Sequence, residues 1–411
     1  MSRRLHILLV SFEFPPEMAT GGIGAYMHHL AGLLNRNGHH VTVISAKTGK
    51  GDVETVDREY CMNYLIPSVT GEAFRYDAVQ LFKMVNEKHP VDVMEGPDVG
   101  ACALEIKRAF PNVPMVVKLH TPGALINKVS NTYQPLFTKL RFVAGALRRG
   151  GFNLGYWSKK SSNKEKDHEY QVCKLADILL SPSRALKEWA SRYWCIPAGK
   201  IDVIPNPFVF SEALLQLPLD NRPRQISFIG KLSVLKGMVA LTGSIPAILD
   251  QFPGYRVCLV GRDELENGLS MKQYMQDKLS NYAGRIEFTG ALSAEALVTI
   301  YANSQVCIFP SLWENYPTVL LEAMASGAAI AASNRGGIPE MIEDGVTGKL
   351  FDPMDPKKII QAVSELLRDE TNRLEMAARA RQYLQQQQGN RLFEEKILEP
   401  YTRLALTCSH V

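Results

Sequence analysis

The chain has 411 residues, of which 46% are hydrophobic and 21% charged, so it is a globular protein with room for two domains and long disorder is excluded. A net charge of +4 is too small to imply nucleic-acid binding, and no run approaches the roughly 18 apolar residues of a membrane span. Seven dispersed cysteines without a C-x-x-C pair fit neither a disulfide framework nor a zinc site, and suit a reducing cytosol.

The N-terminus "MSRRLHILLVSFEFPP" has too short an apolar core for a signal peptide and no small-residue cleavage site, so "HILLVSF" (6–12) reads as a first buried strand. A helix at 22–37 and a strand at 40–46 follow. Further strands are predicted at 91–96, 115–121 and 177–183, with helices at about 74–89, 98–109 and 164–176 between them. After "IDVIPNPF" (201–208) the stretch "SEALLQLPLDNRPR" reads as a linker, and the alternation restarts. Strands are predicted at 226–230, 255–261, 285–290, 306–311 and 329–333, with helices at about 237–250, 268–281, 293–303 and 317–326. The tail is mainly helical, ending in a helix at about 391–405. Two doubly wound parallel α/β domains with a cleft between them is the economical reading.

Charge is unevenly distributed. Between Glu105 and Glu165 there is no Asp or Glu, while Lys107, Arg108, Lys118, Lys128, Lys139, Arg141, Arg148, Arg149, Lys159, Lys160 and Lys164 fall there, which predicts a strongly basic local face. Its portion at 136–160 mixes aromatic and basic residues. It reads either as a surface for an anionic acceptor or anionic membrane headgroups, or as an ordinary solvated basic lobe.

"TGGIGAYMHHL" (20–30) follows the first strand and opens a helix, where Gly21 and Gly22 let backbone amides approach an anion, or simply make a tight turn. It is not a dinucleotide fingerprint. The third glycine would fall at Met27, and the second strand ends "VISAK" without an acid for a ribose. In "GKLSVLKGM" (230–238), Lys231 and Lys236 occupy a strand-to-helix loop. They read either as cations for a leaving diphosphate or as solvated surface lysines.

"SLWENYPTVLLEAMASG" (311–327) places Glu314 just before a helix and Glu322 inside it. Pro317 suits the first helical position, and the free amides near Thr318 and Val319 make an anion site beside Glu314. A carboxylate beside an anion site is suited to hydroxyls attached to that anion, as sugars supply. The other readings are a capping role for Glu314 and a solvent-facing charge for Glu322, the latter disfavoured by its setting in "LLEAMA".

Taken together, "GKLSVLKG", "FTGALSAEALVTIYANSQVCIFPS", "ENYPTVLLEAMASG", "GGIPEMIEDGVTGKLF" and "PPEMATGGIGAYMHHLAGLL" resemble, in order and spacing, the family 4 retaining glycosyltransferases. The resemblance implies the GT-B fold: two Rossmann-like domains, at 1–210 plus 391–411 and at 211–390, with the last helix returning to the first domain. It implies transfer of a sugar from a nucleotide diphosphate to an acceptor hydroxyl of a glycan, glycolipid or small molecule. The anomeric configuration would be retained and no metal or other cofactor used, and no D-x-D or His cluster stands in the chain for a metal.

Under the resemblance Glu314 binds donor-sugar hydroxyls, and the segment Asn315, Tyr316, Pro317, Thr318 and Val319 supplies backbone contacts to sugar and diphosphate. Glu322 binds the ribose. Lys231 and Lys236 hold the diphosphate with Gly21, Gly22 and Gly261 nearby, and His120 in "KLHT" faces the transferred sugar.

Some positions depart from the pattern. Lys231 stands where Arg is commoner, Pro317 where Gly is frequent, "VGRDEL" replaces V-G-x-G-P, and "IPNPF" lacks the N-G-V-D ending. Rival readings are a GT-B sugar-nucleotide epimerase, which needs no acceptor, and a silent sugar-nucleotide binder, which the intact Glu and Lys pairs disfavour. A phosphorylase lacks a visible lysine context for pyridoxal. Location is expected to be cytoplasmic, with peripheral contact at the inner membrane face through 136–160.

Overall fold

The computed structural model describes residues 3–18, 21–68, 70–133, 136–148, 164–209, 211–266, 269–387 and 391–408. The chain divides into two compact units, one made of Met1–Ala124, Ser161–Val209 and Gly389–Val411, the other of Leu125–Lys160 and Phe210–Gln388. The sequence-based boundary puts 125–160 in the first domain; the contacts of its described residues, 125–133 and 136–148, group them with the second. No helix of the described residues is long and apolar enough to cross a membrane.

The first unit is built on an eight-stranded sheet: β1 (His6–Ser11), β2 (His40–Lys47), β3 (Glu54–Arg58), β4 (Cys61–Pro67), β5 (Val93–Pro97), β6 (Met115–Lys118), β7 (Ile178–Ser181) and β8 (Ile201–Val203). Their order is β3-β4-β2-β1-β5-β6-β7-β8, and every neighbouring pair is parallel except β3 with β4. All six residues of β1 are buried, because a parallel sheet is covered on both faces and its central strand must be apolar on both.

Six helices belong to this unit: α1 (Gly22–Arg36), α2 (Gly71–Lys88), α3 (Leu104–Ala109), α6 (His168–Leu175), α7 (Arg184–Tyr193) and the last helix α15 (Arg391–Cys408). Between α3 and α6 run α4 (Gly123–Tyr133) and α5 (Leu136–Arg148). Ile397, Tyr401 and Leu404 of α15 enter the same core as Ile7, Leu9 and Val43, so the end of the chain does return to the first unit.

The second unit holds a six-stranded, wholly parallel sheet in the order β13-β10-β9-β14-β15-β16. Its strands are β9 (Gln225–Ile229), β10 (Arg256–Val260), β13 (Ile286–Gly290), β14 (Val306–Phe309), β15 (Ala329–Ser333) and β16 (Lys349–Phe351), with a two-residue ladder of β11 (Leu265–Glu266) and β12 (Leu269–Ser270) apart from them. Its helices are α8 (Glu212–Leu215), α9 (Met238–Gln251), α10 (Met271–Lys278), α11 (Ala294–Asn303), α12 (Thr318–Ser326), α13 (Pro356–Arg368) and α14 (Glu370–Gln387).

Not every basic residue of the acid-free stretch stands on a surface. Lys107 is buried, donating to Asp177 Oδ2 at 2.9 Å and Val113 O at 2.8 Å. Lys118 is fully buried in β6 and donates to Ile204 O at 2.7 Å, and burial depresses its pKa to about 7. Residues 149–160, part of the predicted acceptor segment, lie outside the described residues.

Candidate active site

In a parallel sheet the loops after the carboxyl ends of the strands gather along one edge, where ligands of doubly wound folds bind. In the second unit that edge carries the loop after β9, with Lys231 and Lys236, and the loop after β14, with Glu314. Gly237 has φ +75°, and a Cβ there would lie 1.8 Å from Pro310 O, so only glycine lets the two loops cross. Leu312 N–H donates to Leu235 O at 2.8 Å and fixes the crossing.

Because of that contact, Lys236 Nζ forms an ion pair with Glu314 Oε1, which also accepts from Ser311 Oγ at 3.0 Å. Both partners stay partly accessible, with side-chain exposures of 25% for Lys236 and 14% for Glu314, so water and ligand hydroxyls can reach the pair. The loop after β15 completes the frame. Gly336 has φ +62°, a Cβ on it would lie 2.1 Å from Glu314 O, and Gly337 N–H donates to that oxygen at 2.7 Å.

The next residues lead into α12. Asn315 is buried and its Oδ1 accepts from Trp313 Nε1 at 2.7 Å, while Tyr316 is half-buried and burial raises its phenol pKa. Pro317 is not the first helical residue, as the sequence suggested, but the extended residue before it, with ψ +120°. Its carbonyl accepts from Leu320 N–H at 3.2 Å. The missing N–H of proline therefore subtracts nothing from the first turn, which begins at Thr318. This helix start has no capping side-chain hydrogen bond and no acid in its first turn, so its first amides are not satisfied by a side-chain cap.

Glu322 sits one turn further in and is half-buried. Its Oε2 accepts from the hydroxyl of fully buried Tyr301 at 2.8 Å, and burial raises its pKa against that hydrogen bond. One carboxylate oxygen is thereby fixed. Tyr301 and Ser311 are residues that sequence reasoning missed. Tyr301 falls in the quoted "TIYANS", yet nothing in a helical tyrosine announces a carboxylate partner 21 residues away.

Not every expected residue joins the group. Lys231 is exposed and, among the described residues, has no carboxylate partner, unlike Lys236. Gly261 N–H is committed to Gly290 O at 2.9 Å, and the glycine packs on the backbone of Gly230, so its part is to let strand ends approach each other.

The first unit has its own polar cluster. His120 follows β6; its N–H donates to Asp98 Oδ1 at 2.7 Å, its Nδ1 lies 3.1 Å from Lys118 O, and the ring of Tyr26 stands edge-on at 5.4 Å. Asp98 is fully buried. Glu169 accepts from Gly123 N–H at 2.7 Å, and its pKa is held up to about 7 by burial and by the nearby Asp98 carboxylate. Behind them, buried Glu95 accepts from the hydroxyls of Tyr26, at 2.7 Å, and Tyr401. The signal for Glu95 and Asp98 is present in "VMEGPD", one acid inside an otherwise apolar strand and one directly after it. Gly21 is the extended residue before α1 and Gly22 its first, again with no capping side chain; a Cβ on Gly21 would lie 3.6 Å from Glu13 Oε2.

Comparison with known proteins identifies the family. Residues 20–209 match the family described as "Glycosyltransferase Family 4" and residues 223–369 the family "Glycosyl transferases group 1". An uncharacterized glycosyltransferase of Methanocaldococcus jannaschii is 24% identical over 379 residues, spanning 89% of this chain and 90% of the relative. Sucrose-phosphate synthase from Thermosynechococcus elongatus superposes with a TM-score of 0.74 at 20% identity, covering 98% of this chain and all of that one. HepE of Anabaena in complex with UDP and glucose gives 0.64 at 17% identity over 97% of this chain and 100% of its own. The chain belongs to the family 4 (group 1) glycosyltransferases of GT-B fold.

Proposed function

We propose that the protein is a retaining, metal-independent transferase that moves a sugar from a nucleotide diphosphate to an acceptor hydroxyl. The observation that carries this reading is the Lys236–Glu314 pair at the uncapped start of α12. A cation, a hydroxyl-accepting carboxylate and free helix amides in one place are the three groups that a sugar joined to a diphosphate requires. Glu314 accepts sugar hydroxyls; Lys236, Lys231 and the amides of Thr318 and Val319 take the diphosphate charge; Glu322, oriented by Tyr301, accepts a ribose hydroxyl. The likeness to HepE, solved with UDP and glucose, supports a nucleotide-sugar donor.

In this reading the bond between the anomeric carbon and the β-phosphate oxygen breaks, and the acceptor oxygen bonds to the same face of that carbon. The acceptor proton passes to the departing diphosphate, so no carboxylate nucleophile is needed, in contrast to retaining glycosidases. Lys236, held on Glu314, and the exposed Lys231 supply the positive charge that a divalent ion would otherwise supply. His120 contributes to the transfer step, not to nucleotide affinity. Among the described residues no group of three or more His, Cys, Asp or Glu is placed to hold a metal ion.

For the acceptor, α5 exposes Leu140 and Leu147, each 56% accessible and seven residues apart on one helix face, beside Lys139. That favours an anionic lipid-linked acceptor or membrane headgroups. Flotation with anionic liposomes checks this, and absence of binding at low salt contradicts it. For the transferase reading, release of nucleoside diphosphate in EDTA from a panel of UDP-, GDP- and ADP-sugars is the test. One donor is expected to turn over in wild type and not in Glu314→Ala.

A further inference from the structure

At the opposite edge of the second sheet, where β9, β10, β14 and β15 begin, lies a cavity of about 570 Å³ that the transfer chemistry does not use. Four arginines line it, Arg222, Arg224, Arg368 and Arg373, against two carboxylates, Asp220 and Glu370. Two of the arginines are structural. Arg222 is buried and donates to the carbonyls of Tyr301 at 3.0 Å and Ser304 at 2.9 Å, and Arg373 is buried and paired with Glu370 at 3.0 Å.

The other two are placed differently. Arg368 donates to Gln251 Oε1 at 2.8 Å and lies 5.9 Å from the centre of the Phe252 ring. Arg224 is exposed and crosses Gly254, where a Cβ would come within 2.9 Å of its Nη1. Among the described residues neither Arg224 nor Arg368 has a carboxylate partner. The cavity thus presents two uncompensated guanidinium forks beside the Phe252 and Tyr255 rings, 5.9 Å apart. Guanidinium forks select phosphate by paired, charge-assisted hydrogen bonds, and the accessible parts of Phe252 and Pro253 in the lining suit the carbon skeleton of a small ester. The volume lies in the range of small-molecule sites and far exceeds a bare phosphate.

We propose that this cavity binds a small phosphate monoester of sugar-phosphate size, at a site separate from the candidate donor site. The proposal does not depend on the transferase reading. Glucose 6-phosphate is the probe, titrated calorimetrically into the full-length protein at constant ionic strength. Three proteins are compared: wild type, Lys236→Ala to disable the candidate donor site, and the exposed-residue double variant R224Q/R368Q, whose melting temperature controls for folding. Wild type and Lys236→Ala are expected to bind equally, and the double variant at least about tenfold more weakly, since two charge-assisted contacts are lost. Inorganic phosphate is expected to bind more weakly than the ester. Absence of saturable binding by wild type, undiminished binding by the double variant, loss confined to Lys236→Ala, or equal affinity for inorganic phosphate would each overturn the proposal.

Discussion

The two units differ in where they keep their charge. All nine histidines of the chain fall within the first unit and none in the second. The first unit also buries Glu95, Asp98 and Lys118 completely, and it joins β5 to α1 and to the last helix by the hydroxyls of Tyr26 and Tyr401 on one carboxylate. The second unit instead sets Lys236, Glu314 and Glu322 at the strand ends, partly accessible, and shapes the surrounding loops with glycines. Charge buried on both sides of a hydrogen bond holds segments together; charge left partly accessible beside free amides is available to a ligand. Substitutions in the second unit's site should therefore act on turnover and nucleotide binding, and those in the first unit's network on folding.

The largest expected effect is that of Glu314→Gln, which keeps the shape but loses the charged acceptor and its pairing with Lys236. Sugar transfer should fall by about 10²- to 10³-fold with an unchanged melting temperature. Steady-state kinetics beside calorimetry would show it, and a fall in stability matching the fall in rate would erase the contrast. Next is Gly336→Ala. A side chain at φ +62° aimed at Glu314 O should cost about 2–4 kcal/mol and displace that glutamate, making this a position in the second unit where stability and turnover fall together.

Tyr401→Phe, in the first unit, should cost about 1–3 kcal/mol by leaving buried Glu95 short of a donor. Hydrogen exchange would register it as lost protection in α15, with nucleotide affinity unchanged. Glu322→Ala should act mainly on the ligand, weakening nucleotide binding by about tenfold, equivalent to about 1.4 kcal/mol, with a smaller loss of stability because the Tyr301 hydroxyl keeps Val319 O as an acceptor at 3.3 Å.

The smallest effect is in pH. Burial lowers the pKa of His6, His28, His29, His39 and His40, that of His29 to about 4. These groups protonate in the unfolded chain before they do in the folded one, so their stabilisation is present above about 6.5 and is lost as pH falls toward 4. Glu95 and Glu169, whose pKa values are raised, oppose this, because they gain protons more readily when folded. The histidine contribution is read in the peptides of β1, α1 and β2 that carry or adjoin these histidines, apart from Glu95 and Glu169. Exchange protection should decline between pH 6.5 and 5 in first-unit peptides and hold in second-unit peptides, where no histidine titrates; a uniform decline would contradict the assignment.

Much of this organisation is legible in the sequence, for a physical reason. Parallel strands buried on both faces are continuous apolar runs, and "HILLV", "VCLV" and "VCIF" stand out as such. The exceptions are equally physical. The β3 and β4 hairpin escapes notice because β3, "ETVDR", is largely exposed and lacks an apolar alternation. The helix α8 is a single turn inside a segment that reads as linker. Lys107 and Lys118 count as surface charge in any composition argument, and only the fold shows them buried on Asp177 and Ile204 O.

At the site, Glu314, Glu322 and Lys236 are recognisable because local motifs carry them. Their partners are not: Tyr301 comes from α11, 21 residues from Glu322, Gly337 from the loop after β15, and Ser311, though only three residues from Glu314, is an ordinary loop serine in sequence. The contact of Glu95 with Tyr401 spans 306 positions and leaves no local trace.

The central claim is that the second unit binds a sugar nucleotide through Glu314, Lys236 and Glu322. Its most direct test is binding of UDP-, GDP- and ADP-sugars in EDTA to wild type and to Glu322→Ala, followed by thermal stabilisation. We expect one donor to stabilise the wild-type protein saturably and the variant about tenfold more weakly. Equal stabilisation of both, or none by any donor, would contradict the assignment of the site.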